Sequence, residues 1–226
     1  MTGSDPIADS GLSEPPSDPS ALTGLPAARH VERLHRVSEY VRPWWYSSVT
    51  AFDERSGGRF DLLTPQGTCY LAESLDGALV EKLLRARTKV VVAERLAELF
   101  HATIHVRAAP AAADLTSRRA TAAGLNAEVH TTLDYRITRR WARALRRAGW
   151  RGLRYLLRGD VSGSAAGRAV FGRAGLHRRA PAGLTTEVAP LDRDRAEQLL
   201  HERGVEVRPI PTQVPIAPPP TDPTGQ

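Results

Sequence analysis

The stretch that most constrains the fold runs from residue 56 to residue 72 and reads SGGRFDLLTPQGTCYLA. Two glycines, Gly57 and Gly58, allow the backbone a close approach to another group, and Arg59 follows them directly. A turn signal at residues 65–67 then leads into an alternating, strand-like segment. The pattern predicts a β-hairpin with strands near 58–62 and 68–72 that carries a fixed arginine at its mouth.

Apolar periodicity predicts further strands and helices on both sides of this hairpin. A helix capped by Ser74 or Asp76 is expected to run to about residue 86. The other predicted helices are 90–100, 139–149 with Thr138 as its cap, and 192–203; the other predicted strands are 34–38, 101–109, 127–135, 151–158, 184–188 and 205–209. Because strands and helices do not alternate strictly, the predicted fold class is α+β, with small mixed or antiparallel sheets flanked by helices.

The two ends of the chain differ in composition from its middle. Residues 1–26 are rich in Ser, Pro, Asp and Gly, and residues 209–226 are dominated by proline. Such segments offer too little apolar surface to offset the entropy of ordering the chain. We therefore expect disordered tails at 1–26 and 209–226, and one folded domain at 27–208.

Composition also narrows the class of protein. Cys69 is the single cysteine, so neither an internal disulfide nor a cysteine-based zinc cluster is expected. No apolar run approaches the ~18 residues of a membrane span, and no signal-peptide pattern begins the sequence, which favours a cytoplasmic protein. The net charge is +6, but the basic residues are nearly all arginine in an Ala- and Gly-rich chain. Nucleic-acid binding through the helix at 139–149 is therefore less favoured than an amphipathic surface helix.

Four side chains in and around the hairpin could act together on a nucleotide. Arg36 and Arg59 carry planar guanidinium groups that bind phosphate oxygens through two parallel hydrogen bonds. Tyr70 can stack on a flat ring or donate its hydroxyl to a ribose, and the Glu81 carboxylate can stabilise positive charge at an anomeric carbon. Together these groups suit the cleavage of an N-glycosidic bond.

Each of these residues also has a purely structural interpretation. Glu81 could form a surface ion pair with Arg85, four residues further along the same helix. Tyr70 could simply pack in the core, and Arg59 could be a charge at the edge of a hairpin. Spacing alone leaves these alternatives open.

Longer segments of the sequence resemble a known family. The segments are HRV, WYSS, GGRFDL followed by PQGTCYLAES and ALVE, RRWARALRRAGWRGLRYLLR, and AVFGRAG. Their content and order between residues 34 and 175 are similar to the RES-domain family. The resemblance implies a fold like that of the ADP-ribosyltransferases and a bacterial toxin that degrades NAD. It also implies a partner, an Xre-type helix-turn-helix antitoxin, and NAD as substrate with no further cofactor and no metal.

The resemblance also assigns roles to particular residues. It matches Arg36 and Arg59 with substrate binding, and Tyr70 and Glu81 with catalysis. The family takes its name from Arg, Glu and Ser, and its serine is expected where this chain has Leu157. Leucine cannot donate a hydrogen bond to a ribose or a phosphate, so either another group substitutes or activity is weakened.

Two nearby serines, Ser162 and Ser164, could take over that role, although small loop residues are usually only part of the loop. The leading hypothesis is therefore an enzyme that cleaves the nicotinamide–ribose bond of NAD, with water, phosphate or a protein as acceptor. The alternative is an inactive or weakly active module that binds a dinucleotide or a partner.

Overall fold

The computed structural model describes residues 11–52, 56–84 and 89–210. Within these ranges the chain forms thirteen strands, five α-helices and two short 3-10 helices. The strands are β1 (Arg33–Ser38), β2 (Trp45–Tyr46), β3 (Ser48–Val49), β4 (Leu62–Leu63), β5 (Gln66–Ala72), β6 (Val90–Val92), β7 (Phe100–Val106), β8 (Ala112–Asp114), β9 (Gly152–Leu156), β10 (Ala166–Arg173), β11 (Gly175–Leu176), β12 (Leu184–Pro190) and β13 (Glu206–Arg208). The helices are α1 (Leu75–Leu83), α2 (Ala93–Ala97), α3 (Glu128–Thr131), α4 (Tyr135–Arg147) and α5 (Arg193–Glu202).

A seven-stranded sheet forms the centre of the molecule, in the order β12-β7-β1-β5-β10-β9-β8. All its neighbouring strands are antiparallel except β8 and β9, which are parallel. Short strand pairs, β11 with β2, β13 with β6 and β3 with β4, lie outside this sheet. A mixed sheet flanked by helices confirms the predicted α+β class.

Buried side chains form three clusters around the sheet. The first lies between α4 and strands β9 and β10, with Trp141 and Tyr155 among its largest members. The second packs α1 and α5 against β1 and includes Leu79 and Leu200. The third gathers Trp44 with apolar residues of β1, β5 and β7. The sheet is therefore covered on both sides, and α1 and α4 occupy the two clusters that flank the candidate site.

The predicted hairpin at 58–72 is wrong. Only Leu62 of the predicted first arm lies in a strand, β4, and this strand pairs in parallel with β3 instead of with β5. The edge of β5 that the hairpin would have used is partly taken by Ser47, whose backbone exchanges hydrogen bonds of 2.8 and 2.9 Å with Thr68. The arm is instead folded back because Phe60 and Asp61 are buried, both with 0% exposure.

Three further elements differ from the prediction. The expected helix at 90–100 is a strand, Val90–Val92, followed by the short helix Ala93–Ala97, because three successive valines favour extended backbone. The segment expected as a strand at 127–135 contains the helix Glu128–Thr131. The cap of α4 is Asp134, whose carboxylate accepts a hydrogen bond from the backbone, while Thr138 lies inside the helix.

The other predicted elements are confirmed to within a few residues. They are β1, β5, β7, β9, β12, β13, α1 and α5. Helix α1 begins after Ser74, whose hydroxyl accepts a 3.0 Å hydrogen bond from the N–H of Gly77. The helix ends at Leu83, with Leu84 as its C-cap, before the predicted end near residue 86.

The prediction of a disordered tail at 1–26 is wrong for residues 11–26. Leu12, Leu22 and Leu25 are buried in the cluster formed by α4. Two tryptophan side chains donate hydrogen bonds to this segment, Trp141 to the carbonyl of Ser13 at 2.8 Å and Trp150 to that of Leu22 at 3.0 Å. Buried indole N–H groups need such acceptors, so the segment completes the core despite its polar composition.

The remaining parts of the predicted tails, residues 1–10 and 211–226, lie outside the described residues. In the described part of the chain, every helix is too short or too polar to cross a membrane.

Candidate active site

The candidate site lies where strands β1 and β5 separate. The two strands pair at one position, His35 opposite Ala72, although each is fully paired with its other neighbour. Beyond that pair, Val37 of β1 and Tyr70 of β5 line opposite walls of a cavity. A gap between two otherwise well-paired strands of one sheet creates a cleft with a rigid frame.

The cleft contains two adjoining cavities of about 550 Å³ and about 300 Å³. They share four residues, Gly57, Gly58, Tyr70 and Glu81. The larger cavity is also lined by Arg36, and the smaller one by Arg59. The tertiary structure thus brings all four predicted site residues to one cleft, whose size is typical of small-ligand sites (roughly 300–1,000 Å³).

The two glycines of the Gly-Gly-Arg loop, which we define as residues 56–60, are required by contacts within the protein. Gly57 has a φ of +93°, a conformation that side chains disfavour. A Cβ atom on Gly57 would lie 2.7 Å from Val49, and one on Gly58 would lie 2.6 Å from the Tyr70 hydroxyl. Close packing of the loop on the residues behind it therefore accounts for both glycines, and both still line the cleft.

Asp61 connects this loop to the strands, and sequence reasoning did not identify it. Its carboxylate is buried and accepts hydrogen bonds from the N–H of Gly58 at 2.7 Å, the Tyr70 hydroxyl at 2.8 Å and the Ser47 hydroxyl at 2.7 Å. One fully buried carboxylate thus links the loop with β5 and with the residue between β2 and β3. The one feature of the sequence that points to Asp61 is its position, two residues after Arg59.

The Tyr70 hydroxyl makes two hydrogen bonds within the protein. The oxygen accepts a 2.8 Å hydrogen bond from the N–H of Phe60 and donates one of 2.8 Å to Asp61. Burial, and then the negative charge of Asp61, raise the pKa of Tyr70 well above its usual value. Tyr70 therefore stays a neutral phenol, and what it offers a ligand is its ring more than its hydroxyl.

Arg59 is held by one carbonyl and surrounded by aromatic rings. Its Nη1 donates a 2.5 Å hydrogen bond to the carbonyl of His130, and its guanidinium carbon lies 5.8 Å from the Tyr135 ring and 6.0 Å from the Tyr155 ring. Within the described residues, no hydrogen-bond partner is found for its buried Nε. This arrangement fixes the guanidinium at the wall of the smaller cavity with hydrogen-bonding capacity left over.

The positive charge of Arg59 affects the pKa of His130. Burial, followed by the positive charge of Arg59, lowers the pKa of His130 to about 4. Its Nδ1 lies 3.4 Å from the backbone nitrogen of Leu156, which makes it a weak acceptor for β9. A neutral His130 is thus part of the support that connects Arg59 with the strand carrying Tyr155.

Arg36 spans the gap between the separated strands. Its Nη1 donates to the carbonyl of Trp45 at 3.1 Å and contacts the sulfur of Cys69 in β5 at 2.7 Å. Burial raises the pKa of the Cys69 thiol, so the thiol stays neutral. Arg36 therefore has a structural contact on both sides of the cleft as well as a position on its wall.

Glu81 projects from α1 onto both cavities. The alternative partner suggested by helical spacing, Arg85, lies outside the described residues. The interpretation of Glu81 as a cleft carboxylate thus rests on its position on the walls of both cavities.

The residues considered for the family serine are all absent from the described walls of both cavities. Leu157 has 2% exposure and packs in the core next to Gly77. Ser162 and Ser164 are exposed and hydrogen-bond to each other and to Asp160. These hydrogen bonds all lie within residues 160–164, so the two serines stabilise their own loop.

The charges around the cleft favour an anionic ligand. Among the described residues, the basic side chains that line the cavities are Arg36, Arg59, Lys82, Arg95 and Arg158, and the acidic ones are Glu39, Asp61 and Glu81. Asp61 borders the larger cavity, but it is fully buried and its carboxylate accepts three hydrogen bonds from the protein. Within the same residues, no group of three His, Cys, Asp or Glu side chains could hold a metal ion.

Known proteins share the fold of this cleft-bearing sheet. The RES domain family model matches residues 30–160, more than half of the chain, so the chain belongs to the RES domain family. The structure is similar to a chain of the crystal structure of the M. tuberculosis MbcT–MbcA toxin–antitoxin complex, with a TM-score of 0.59 and 21% identity. That likeness covers 84% of this chain and 97% of the other. No curated protein matches the sequence.

Proposed function

We propose that the protein cleaves the nicotinamide–ribose bond of NAD and that it acts as the toxin of a toxin–antitoxin pair. The observation that carries this proposal is the position of Glu81 and Tyr70 on both cavities, with Arg36 on the wall of one and Arg59 on the wall of the other. Membership of the RES domain family, whose toxins generally act on NAD, supports it.

In this proposal the two arginines bind the pyrophosphate of NAD. Arg59 has a fixed guanidinium with an unused Nε, and Arg36 faces the adjoining cavity. The negative charge of the pyrophosphate does not change while the glycosidic bond breaks. Both arginines therefore stabilise the ground state and the transition state alike, and they contribute to affinity more than to rate.

Glu81 supplies what the reaction needs only in its transition state. As nicotinamide leaves with the electron pair of the C–N bond, positive charge develops on the ribose, and a carboxylate beside it stabilises that charge. Tyr70 contributes the face of its ring next to the ribose or the nicotinamide, since its hydroxyl is bound by Phe60 and Asp61. Its neutral phenol does not act as a base.

The acceptor of the ribosyl group is water or phosphate in this proposal, and the partner is an Xre-type antitoxin. The similar solved structure is itself part of a toxin–antitoxin complex, which supports the partner. Expression of a toxin of this kind should arrest growth, and the arrest should depend on Glu81.

A second candidate function is favoured by Leu157. This residue stands where the family serine is expected, and its side chain is buried in the core. A cleft that lacks that hydroxyl could bind a dinucleotide or a partner with little or no turnover.

The two functions are separated by incubating the purified protein with NAD and identifying the products by chromatography. Release of nicotinamide supports cleavage, and the co-product identifies the acceptor, ADP-ribose for water and its phosphorylated form for phosphate. Binding of NAD in calorimetry without release of nicotinamide would support the binding module. A protein that neither binds NAD nor releases nicotinamide would exclude both functions.

A further inference from the structure

Helix α4 contributes a buried arginine to the back of the Gly-Gly-Arg loop. Arg139 has 1% exposure, and its Nε donates a 2.9 Å hydrogen bond to the carbonyl of Gly58 while Nη2 donates one of 2.6 Å to that of Ser56. Its guanidinium carbon lies 5.9 Å from the Tyr135 ring, the same ring that Arg59 contacts from the cleft side. One charged side chain thus binds two carbonyls of a five-residue loop.

These two hydrogen bonds also orient the N–H groups that follow each carbonyl. The peptide bonds 56–57 and 58–59 are trans, and in a trans peptide the C=O and the N–H point in opposite directions. Arg139 therefore turns the N–H groups of Gly57 and Arg59 away from α4. Within the described residues, neither N–H has a hydrogen-bond acceptor, although both residues line the smaller cavity.

Three other backbone groups of the loop have partners within the protein. Thr138, also from α4, donates a 2.6 Å hydrogen bond to the carbonyl of Arg59, and Asp61 and Tyr70 accept the N–H groups of Gly58 and Phe60. The two N–H groups that Arg139 orients are thus the ones left for a ligand. Two such donors on alternate residues, with a positive-φ glycine at the first, are typical of backbone anion sites.

We infer that Arg139 is a positioning residue that holds Gly57 and Arg59 in the conformation that binds the pyrophosphate of the dinucleotide. The inference rests on the proposed function. Arg139 does not line either cavity in the described part of the structure, so it acts through the loop. Its loss should weaken the binding of phosphate in the ground state and the transition state equally.

The test compares Arg139→Lys with Arg143→Lys, a change of the same kind one turn further along α4 and away from the cleft. A lysine cannot bind both carbonyls with a rigid fork. We expect Arg139→Lys to raise KM for NAD by roughly tenfold or more, with kcat changed little, and to raise the dissociation constant of ADP by a similar factor. Hydrogen exchange of the two bonded loop amides, those of Gly58 and Phe60, should accelerate while that of β9 and β10 does not.

Unchanged KM and ADP affinity in a folded Arg139→Lys protein would overturn the inference. So would an equal acceleration of exchange throughout the sheet, because that is the result of a merely structural role. If this variant does not fold, Thr138→Val removes a second α4 contact of the loop and must give the same KM effect. Wild-type protein that binds ADP without releasing nicotinamide would refute the proposed cleavage alone, whereas wild-type protein that does neither would refute both proposals.

Discussion

Two regions of this protein bury arginines next to the same sheet and use them differently. In the Glu73 cluster, the carboxylate of Glu73 lies 2.9 Å from Nε of Arg154 and 2.8 Å from Nε of Arg168, and all three side chains are at most 11% exposed. In the Gly-Gly-Arg loop, Arg59 and Arg139 instead bind backbone carbonyls and contact aromatic rings.

The role of a buried arginine thus depends on the groups that bind it. In the Glu73 cluster, burial by itself raises the pKa of Glu73, but the hydrogen bonds and charges of Arg154 and Arg168 outweigh it, so the pKa is lowered. A carboxylate that is saturated in this way neutralises its arginines and leaves them only a structural role. Arg59 keeps an unused Nε at the wall of a cavity, so it can still bind an anion.

The largest expected effect is a loss of stability in the Glu73 cluster. Glu73→Gln removes the charge between two buried arginines, and it should lower the free energy of unfolding by about 3–5 kcal/mol. The measurement is chemical denaturation, with Glu197→Gln as control, because the exposed pair of Glu197 and Arg193 is worth only about 0.3–0.5 kcal/mol. Turnover per folded molecule should stay unchanged, and a large loss of turnover would mean that the cluster belongs to the active site.

Glu81→Gln should have the opposite effect, a loss of turnover without a loss of stability. The variant keeps the shape of the side chain and removes its charge, so kcat for nicotinamide release should fall about 10²–10³-fold, or roughly 3–4 kcal/mol, with little change in KM or stability. Glu197→Gln again serves as the charge-matched control. Release of nicotinamide at the wild-type rate would exclude Glu81 as a catalytic residue.

The two regions should also lose stability in different pH ranges. Because the pKa of His130 falls from 6.5 to about 4 on folding, the unfolded chain binds a proton between these values and the folded protein does not. Stability should therefore decline from pH 6.5 toward pH 4, by up to about 3 kcal/mol from His130. The lowered pKa of Glu73 acts in the same direction, but only below its ordinary value of 4.5.

Thermal unfolding across this range measures the effect, and His130→Gln isolates it. The variant keeps the backbone carbonyl that binds Arg59 and removes the titrating ring. Between pH 6.5 and 4.5 its stability should depend less on pH than that of the wild type. An identical dependence would assign the effect to other groups, such as His35, whose pKa burial and then His101 also lower to about 4.

The smallest expected effect is that of Arg59→Lys. An ammonium group keeps the positive charge but loses the planar fork, so KM for NAD should rise about 3–10-fold with kcat nearly constant. Arg168→Lys in the Glu73 cluster is the matched change, and it should lower the melting temperature without altering KM. A change in kcat alone for Arg59→Lys would contradict the assignment of Arg59 to phosphate binding.

Local patterns were sufficient for much of the fold, and they led to four side chains that the structure brings to one cleft. Ser74 and the apolar spacing behind it predicted α1, and the alternation at 151–158 placed Leu153 and Arg154 on opposite sides of β9, where the structure has them in the core and in the Glu73 cluster. Arg36, Arg59, Tyr70 and Glu81 were predicted from the chemistry of their side chains and from the resemblance to the RES-domain family. The signals for the helices and strands involve side-chain types and spacings within a few residues.

Contacts between distant segments were decided only by the tertiary structure. Residues 11–26 have the composition of a tail, yet Trp141 and Trp150 donate hydrogen bonds to them across 128 residues of sequence. The first arm of the expected hairpin pairs with β3 instead of β5, and Phe60 and Asp61 within it are buried. Neither outcome is encoded in the local pattern, since each depends on which surface the folded domain leaves uncovered.

The position of Arg139 is the clearest case in which the sequence pattern predicts the helix but not the contacts of its side chain. On a helix of 3.6 residues per turn, Arg139 lies roughly 160° from Trp141, on the side that an amphipathic pattern assigns to solvent. The sequence determined that α4 would form and that Trp141 would face the core. Only the tertiary structure placed the Gly-Gly-Arg loop over the opposite side of the helix, where hydrogen bonds to two loop carbonyls offset the cost of burying the Arg139 guanidinium.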